Sequence, residues 1–324
     1  MVKIGVIGCA DIARRNVIPA LLSLEDHYIL SGVASRTKEK ARQFANEFNI
    51  KSFIGYETLL NEEQLDAVYI PLPNSMHAEW IERALNNNLH VLVEKSMACS
   101  YEEVKYLNEL ASQRNLALVE NFQFRFHNQL AVISDLINEG KIGEIRCVRS
   151  SFGFPPFSDP DNIRYNKELG GGALLDAGAY PLKITQIFLG QDIEVSSANL
   201  WYDEEKDVDI WGGAYLKQKK GPLFAEIAFG FDNFYQCNLE LWGSEGMAYT
   251  NRIFTTPLDY SPEIILETNN GMEKIFIEPE NHFKNMLKYF FKLINGTKRL
   301  DEEYIQNLNQ ARLLKELREK AFED

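Results

Sequence analysis

Apolar positions in the first third of the chain fall into short continuous runs, whereas later ones mostly alternate with polar positions. Val2–Ile7, Leu30–Ser35, Ala67–Ile70, Val91–Val93 and Ala117–Val119 read as strands covered on both faces. Helical stretches, Thr37–Phe48, His77–Asn86 and Tyr101–Arg114, lie between them. This alternation predicts an α/β domain with a parallel, doubly wound sheet over residues 1–120. The pattern changes after residue 120. A helix is expected over Leu130–Asn138, stopped by Gly140, and strands over Ile145–Phe152, Glu194–Tyr202, Ile210–Leu216, Leu223–Phe231 and Gln236–Leu241. Ile145-Arg146-Cys147-Val148-Arg149 has the period of an antiparallel strand with one wet face. A helix over Ala173–Phe188 interrupts these strands. An amphipathic helix, Asp301–Phe322, has Tyr304, Leu308, Ala311 and Leu314 on one face. Residues 121–324 are thus expected to form an α+β domain with a mostly antiparallel, open sheet, and a ligand cleft is expected between the domains.

The first strand runs into Gly8-Cys9-Ala10-Asp11-Ile12-Ala13, a G-x-A-x-x-A turn opening a helix. Gly8 permits the tight turn, Ala10 is small enough for a pyrophosphate to approach, and Ala13 lets helix and strand pack closely. An ordinary strand–helix turn would look similar. The position after an N-terminal strand, with a second strand at the expected distance, favours a dinucleotide-binding Rossmann domain in which Gly8, Cys9, Ala10, Asp11 and Ile12 line the cofactor. The second strand ends in Ser35-Arg36-Thr37-Lys38, with no acid before Glu39. NAD recognition wants a carboxylate there, for the ribose 2′-hydroxyl. Two hydroxyls, a guanidinium and an ammonium suit a 2′-phosphate instead, so NADP(H) is the expected cofactor.

The net charge of −13 disfavours nucleic acid as a partner, without excluding an anionic substrate in a local cationic pocket. Cys9, Cys99, Cys147 and Cys237 are scattered, as expected of reduced thiols in a cytoplasmic protein. Histidines 27, 77, 90, 127 and 282 lack metal-ligand spacing, so no metal is expected. No apolar run is long enough for a membrane span, and the N-terminus reads as a strand rather than a signal peptide.

Two places could carry chemistry. Glu94-Lys95 sits just past a buried strand, where such sheets bind ligands. Lys95 there could polarise a carbonyl or lower a neighbour's pKa, or simply reach solvent from the strand end. Gly170-Gly171-Gly172 opens the later helix, which leaves its first N–H groups available to an anion or a carbonyl. Asp176 and Tyr180, four apart, share a face of that helix. Close packing of a core helix would also use these glycines.

With these motifs in view, nearly the whole chain resembles the glucose-fructose oxidoreductase, inositol dehydrogenase and rhizopine-catabolism family (Gfo/Idh/MocA). Gly8–Ala13 is similar to its opening turn, and Pro73-Asn74 with His77 to its T-P-N-x-x-H element near the nicotinamide. Glu94-Lys95 is similar to its E-K-P, and Asp176-Ala-Gly-Ala-Tyr180 to its D-x-G-x-H/Y. The resemblance implies that Lys95 and Tyr180 are catalytic and that Asp176 completes the site by orienting Lys95 or a sugar hydroxyl. It adds Pro71, Pro73, Asn74, His77, Glu94 and Lys95 to the cofactor-binding residues. Ser96 replaces the family's proline, which leads us to expect a freer turn.

Glu120-Asn121-Phe122-Gln123-Phe124-Arg125-Phe126-His127, with Phe152–Pro156, resembles the branch that reduces 3-keto nucleotide-sugars. This implies an NADPH-dependent ketoreductase of deoxysugar biosynthesis. Its expected substrate residues are Lys95, Asn121, Gln123, Arg125, His127, Arg164, Asp176 and Tyr180, with Arg125, His127 and Arg164 near the diphosphate. Phe122, Phe124 and Phe126 would suit core packing at least as well as sugar contact. The alternatives are an NADP-dependent sugar or dihydrodiol dehydrogenase of the same family, or a non-catalytic sensor, which would be expected to lose Lys95 or Tyr180. A homo-oligomer through the open C-terminal sheet is expected.

Overall fold

The computed structural model describes residues 1–62 and 64–323 and divides into two compact units. The first comprises Met1–Asn121 and Phe283–Leu308; the second comprises Phe122–His282 and the residues from Asn309 onward. The sequence reading assigned everything beyond residue 120 to one domain. The return of Phe283–Leu308 to the first unit differs from that division.

In the first unit, β1 (Val2–Ile7), β2 (Tyr28–Ser35), β3 (Lys51–Ile54), β4 (Ala67–Ile70), β5 (His90–Glu94) and β6 (Leu118–Asn121) form one parallel sheet in the order 3-2-1-4-5-6. Every residue of β4 is buried, as a strand between two helical layers must be. The order reverses beside β1, so the C-terminal ends of β1 and β4 diverge and leave a crevice. The unexpected strand β3 is short, and only Phe53 in it is buried. The returning segment is tied in at specific points. Tyr28 donates to the Leu287 carbonyl at 2.6 Å, and Asn307 Nδ2 donates to Asn108 Oδ1 and the Leu118 carbonyl at 3.1 and 3.0 Å.

The second unit holds an eight-stranded sheet: β7 (Ile145–Gly153), β8 (Ile193–Asp203), β9 (Val208–Gln218), β10 (Phe224–Gly230), β11 (Gln236–Gly243), β12 (Gly246–Thr250), β13 (Glu263–Thr268) and β14 (Gly271–Phe276). Their order is 14-13-12-11-7-10-9-8, antiparallel except for the β7–β10 pair. One face carries Leu239, Leu241, Ile227 and Phe229 into the core, under the helix Ala179–Leu189. The other exposes Trp201, Trp211, Tyr215 and Trp242. The later part of the helix Leu300–Lys320 braces this unit: Gln310 Nε2 donates to the Ala179 carbonyl at 2.9 Å, and Arg312 to that of Ile193 at 2.9 Å.

Candidate active site

In the first unit, candidate residues gather at the C-terminal ends of β1, β2, β4, β5 and β6. Gly8 takes φ of +122°, and a Cβ there would sit 2.8 Å from Leu72 Cδ2, so glycine is required twice over. Gly8 N donates to the Ala34 carbonyl at 3.0 Å, fastening the turn to β2. Cys9, Ala10 and Ile12 are half-buried, and Asp11 is exposed and paired with Arg15 at 2.8 Å. Ser35 is buried, whereas Arg36, Thr37 and Lys38 are exposed, leaving their polar groups open to a ligand.

Pro71, Pro73 and Asn74 form the turn after β4, and Asn74 starts the helix Asn74–Asn86. His77 on that helix is fully buried. Its Nδ1 lies 2.7 Å from the Ser96 carbonyl and its Nε2 2.8 Å from the Leu72 carbonyl. Burial brings its pKa down to about 4, against the pull of those two carbonyls. His77 therefore joins the loop after β4 to the loop after β5. Glu94 ends β5; its Oε1 accepts from Tyr69 at 2.6 Å and Asn121 Nδ2 at 2.7 Å. Burial raises its pKa, opposed first by those two bonds. Lys95 follows, half-buried at the strand end.

The Lys95–Ser96 peptide is cis. Ser96 is buried and its carbonyl faces His77, while Met97 N donates to the buried Glu120 Oε1 at 2.9 Å. The freer turn expected for serine is not what the structure contains, because side chains from two neighbouring elements hold the loop.

In the second unit, Tyr180 is 7% exposed. Phe122, Phe124, Phe152 and Phe254 surround it, with ring centroids 5.7, 5.8, 5.0 and 5.4 Å away. Phe122 and Phe124 are thus packing residues. Asp176 lies in a π-wound stretch, Leu174–Gly178, that leads into the helix bearing Tyr180. Its Oδ2 accepts from Arg164 Nε at 2.6 Å, and the Arg164 guanidinium also lies over the Phe157 ring at 4.9 Å. Asp176 above all raises the Arg164 pKa, and Tyr180 adds to the effect.

The glycine run does not leave bare N–H groups as expected. Asp209 of β9 takes Leu174 N at 2.5 Å on its Oδ2. Gly172, at φ +108°, makes room for it: a Cβ there would lie 2.3 Å from Asp209 Oδ1. Burial raises the Asp209 pKa, offset first by the Leu174 N–H. The acceptor comes from a strand 35 residues further on, which local sequence could not reveal.

The remaining expected substrate residues all have internal contacts. Asn121 holds Glu94, and Gln123 Nε2 donates to the Phe254 carbonyl at 3.2 Å. His127 caps the helix Asn128–Asn138, its Nδ1 accepting from Gln129 N at 3.1 Å. The other ring nitrogen, Nε2, then carries the proton and is buried without an acceptor among the described residues. Arg125 is half-exposed, its guanidinium 5.3 Å from the Phe126 ring centre.

The family model described as "Oxidoreductase family, NAD-binding Rossmann fold" matches residues 2–122, and that of the GFO/IDH/MocA C-terminal domain matches 130–249. The chain belongs to the Gfo/Idh/MocA oxidoreductase family. Its Gfo/Idh/MocA relatives include the dTDP-3,4-didehydro-2,6-dideoxy-alpha-D-glucose 3-reductase of Actinomadura kijaniata, 38% identical over 317 residues, covering 98% of this chain and 95% of that one. Another is the D-xylose 1-dehydrogenase (NADP(+)) 2 of Haloferax volcanii, 29% identical over 302 residues, covering 92% and 91%. The crystal structure of KijD10, a 3-ketoreductase from Actinomadura kijaniata in complex with NADP and TDP-benzene, superposes with a TM-score of 0.94 at 38% identity, covering 98% of this chain and 97% of that one.

Proposed function

We propose that this oxidoreductase uses NADPH to reduce the 3-keto group of a deoxysugar carried on a nucleoside diphosphate. The observation that carries the reading is the 38% identity to a 3-reductase across 98% of the chain, against 29% for the xylose dehydrogenase. Lys95, Asp176 and Tyr180 are all present, which disfavours a non-catalytic sensor.

The first unit's residues fit the cofactor. Gly8 leaves a cradle that a Cβ would fill, and the exposed groups after β2 are cationic or hydroxylic. Gly8–Ile12 would hold the pyrophosphate. Ser35, Arg36, Thr37 and Lys38 would hold the 2′-phosphate, and Pro71, Pro73, Asn74, His77, Glu94 and Lys95 would border the nicotinamide. Bound NADPH supplies the hydride. Tyr180 gives its proton to the sugar's carbonyl oxygen. A free tyrosine has a pKa of about 10, and a nearby cation eases its ionisation. Lys95 would stabilise the developing alkoxide. Asp176 holds Arg164, which supplies a positive charge near the phenol. Asn121 and Gln123 would border the sugar, while Arg125, His127 and Arg164 would offer donors to the diphosphate, a remote grip that positions the carbonyl.

The protein should consume NADPH absorbance with a dTDP-linked 3-keto-deoxyhexose, and thymidine diphosphate should inhibit competitively, more weakly at high salt. If thymidine and uridine diphosphates both fail to bind the NADPH complex while a free aldose or dihydrodiol is oxidised efficiently, the substrate belongs to the dehydrogenase branches instead.

The open face of the eight-stranded sheet supports a homo-oligomer. Trp201 and Trp211 stack there with interplanar angle 4°, and Arg149 is neutralised by Glu226 and Glu240 at 2.7 and 2.9 Å. A flat aromatic surface with internally satisfied charge suits a second copy of itself. Trp211→Glu should lower the mass measured by light scattering, and an unchanged mass would count against this face.

A further inference from the structure

Arg252 belongs to none of the motifs in the sequence, yet it stands on the segment that walls Tyr180. β11 and β12 pair antiparallel, with Leu239 opposite Thr250. The chain runs on beyond that pair, and Ile253 N donates to the Cys237 carbonyl at 3.0 Å. This brings Arg252, just past β12, against Tyr235, just ahead of β11. Arg252 Nη1 donates to the Tyr235 hydroxyl at 2.6 Å, and the guanidinium lies 4.8 Å from the Tyr235 ring centre. Two residues on, the buried Phe254 packs against Tyr180, ring centroids 5.4 Å apart.

The backbone here is pinned at several points. The Arg252 carbonyl accepts from Gln129 Nε2 at 3.2 Å and from the Thr256 hydroxyl. The Phe254 carbonyl accepts from Gln123 Nε2 at 3.2 Å, and Phe254 N donates to Cys237 Sγ at 3.4 Å. A side chain already ordered on such a loop loses less entropy when a ligand arrives.

The charge of Arg252 is what sets it apart. Arg149, Arg164 and Arg312 of the same unit each hold a carboxylate. Arg252 holds none among the described residues; its partner is a phenol. Burial raises the Tyr235 pKa, so that phenol is neutral and leaves the guanidinium's charge uncompensated. With its oxygen taken by Arg252, the Tyr235 hydroxyl donates to Thr255 Oγ1, 3.3 Å away. Arg252 is half-buried, and the bond to Tyr235 uses one of the five N–H groups of its fork. A planar fork matches two oxygens of a phosphate. An anion can use Arg252 without first breaking an ion pair, whereas Arg164 would have to share its charge with Asp176.

We propose that Arg252 is a substrate-binding residue that grips the diphosphate of the nucleotide-sugar, and that Tyr235 positions its guanidinium. The proposal rests on the nucleotide-sugar reading above and adds to it a cation that no motif disclosed.

The test is calorimetric titration of thymidine diphosphate into the full-length enzyme saturated with NADPH, with NADPH affinity measured separately as the control. Arg252→Gln keeps a donor for the Tyr235 hydroxyl and removes the charge; Arg252→Lys keeps the charge. Arg252→Gln should weaken thymidine diphosphate about tenfold to a hundredfold, leave NADPH within about twofold, and flatten the salt dependence of diphosphate binding. Arg252→Lys should recover part of the loss. If Arg252→Gln binds thymidine diphosphate as well as Arg252→Lys or the unmodified enzyme does, Arg252 only staples the hairpin end and the substrate reading stands without it. Equal weakening of NADPH and thymidine diphosphate by Arg252→Gln also overturns the role. If the unmodified enzyme binds neither thymidine nor uridine diphosphate, the nucleotide-sugar reading fails first, and the role of Arg252 with it.

Discussion

Arg164 Nε lies 2.6 Å from Asp176 Oδ2, about one helical turn before Tyr180. The Arg164 side chain is 37% exposed and that of Asp176 16%, so solvent screens the pair and its worth to stability should be about 1 kcal/mol or less. Its larger effect should be on turnover. Arg164→Lys keeps the charge and should retain more activity than Arg164→Ala, with a smaller difference between them in thermal midpoint. Equal turnover in the two variants would show that charge near the phenol is not what Arg164 supplies.

Lys95→Ala and Tyr180→Phe should bind NADPH normally and lose turnover by about 10²–10⁴-fold, as expected for groups that act on a proton in the transition state. Their losses should not add, because both residues serve the same proton-transfer step. The check is single-turnover kinetics, where product release cannot mask chemistry. Near-normal rates for either variant would remove that residue from the mechanism.

Gly172→Ala should destabilise the second unit. It would force a Cβ into the left-handed region and place it 2.3 Å from Asp209 Oδ1. The backbone strain alone costs about 1–3 kcal/mol. Asp209→Ala removes an acceptor from the helix start and should cost about 0.5–2 kcal/mol. Urea denaturation of both variants gives the comparison. If Gly172→Ala were neutral, the helix start would have to accept a different backbone path.

Acid should weaken the fold through His77. Its folded pKa, about 4, lies below the unfolded value of about 6.5, so the unfolded chain binds more protons between these limits. The contribution is therefore complete above pH 6.5 and declines as pH falls towards 4. His282, brought down to about 3 mainly by burial, acts in the same direction. His77→Asn should flatten the fall in melting temperature between pH 6.5 and 4, even if the variant melts lower at pH 7. An unchanged slope would place the acid sensitivity elsewhere.

The parallel sheet of the first unit was legible because β1, β2, β4, β5 and β6 are apolar runs between periodic helices. β3 was not, since only Phe53 in it is buried. The helix His282–Ile294 and strands β12, β13 and β14 also went unread. β14 is exposed along nearly its whole length and carries no alternation to read. At the candidate site, Lys95, Asp176 and Tyr180 were visible through local motifs. Asp209 and the Asp176–Arg164 pair depend on tertiary approach, so local spacing could not disclose them. Ser96 was misjudged for the same reason: its loop is held by His77 and Glu120 rather than by its own side chain.

The placement of β7 has a consequence for how the chain reaches its native state. β7 is the first strand of its sheet to leave the ribosome, yet its two neighbours, β10 and β11, begin at residues 224 and 236. The hairpin of β8 and β9 can close at once, whereas β7 must wait with both edges open while some 70 residues are added. Its inward side chains, Val148 and Phe152 among them, belong to the core and have nothing to pack against during that interval. Chains stopped near residue 220 should therefore associate through β7 and be the form most dependent on chaperones, although they contain a complete parallel sheet and an intact hairpin.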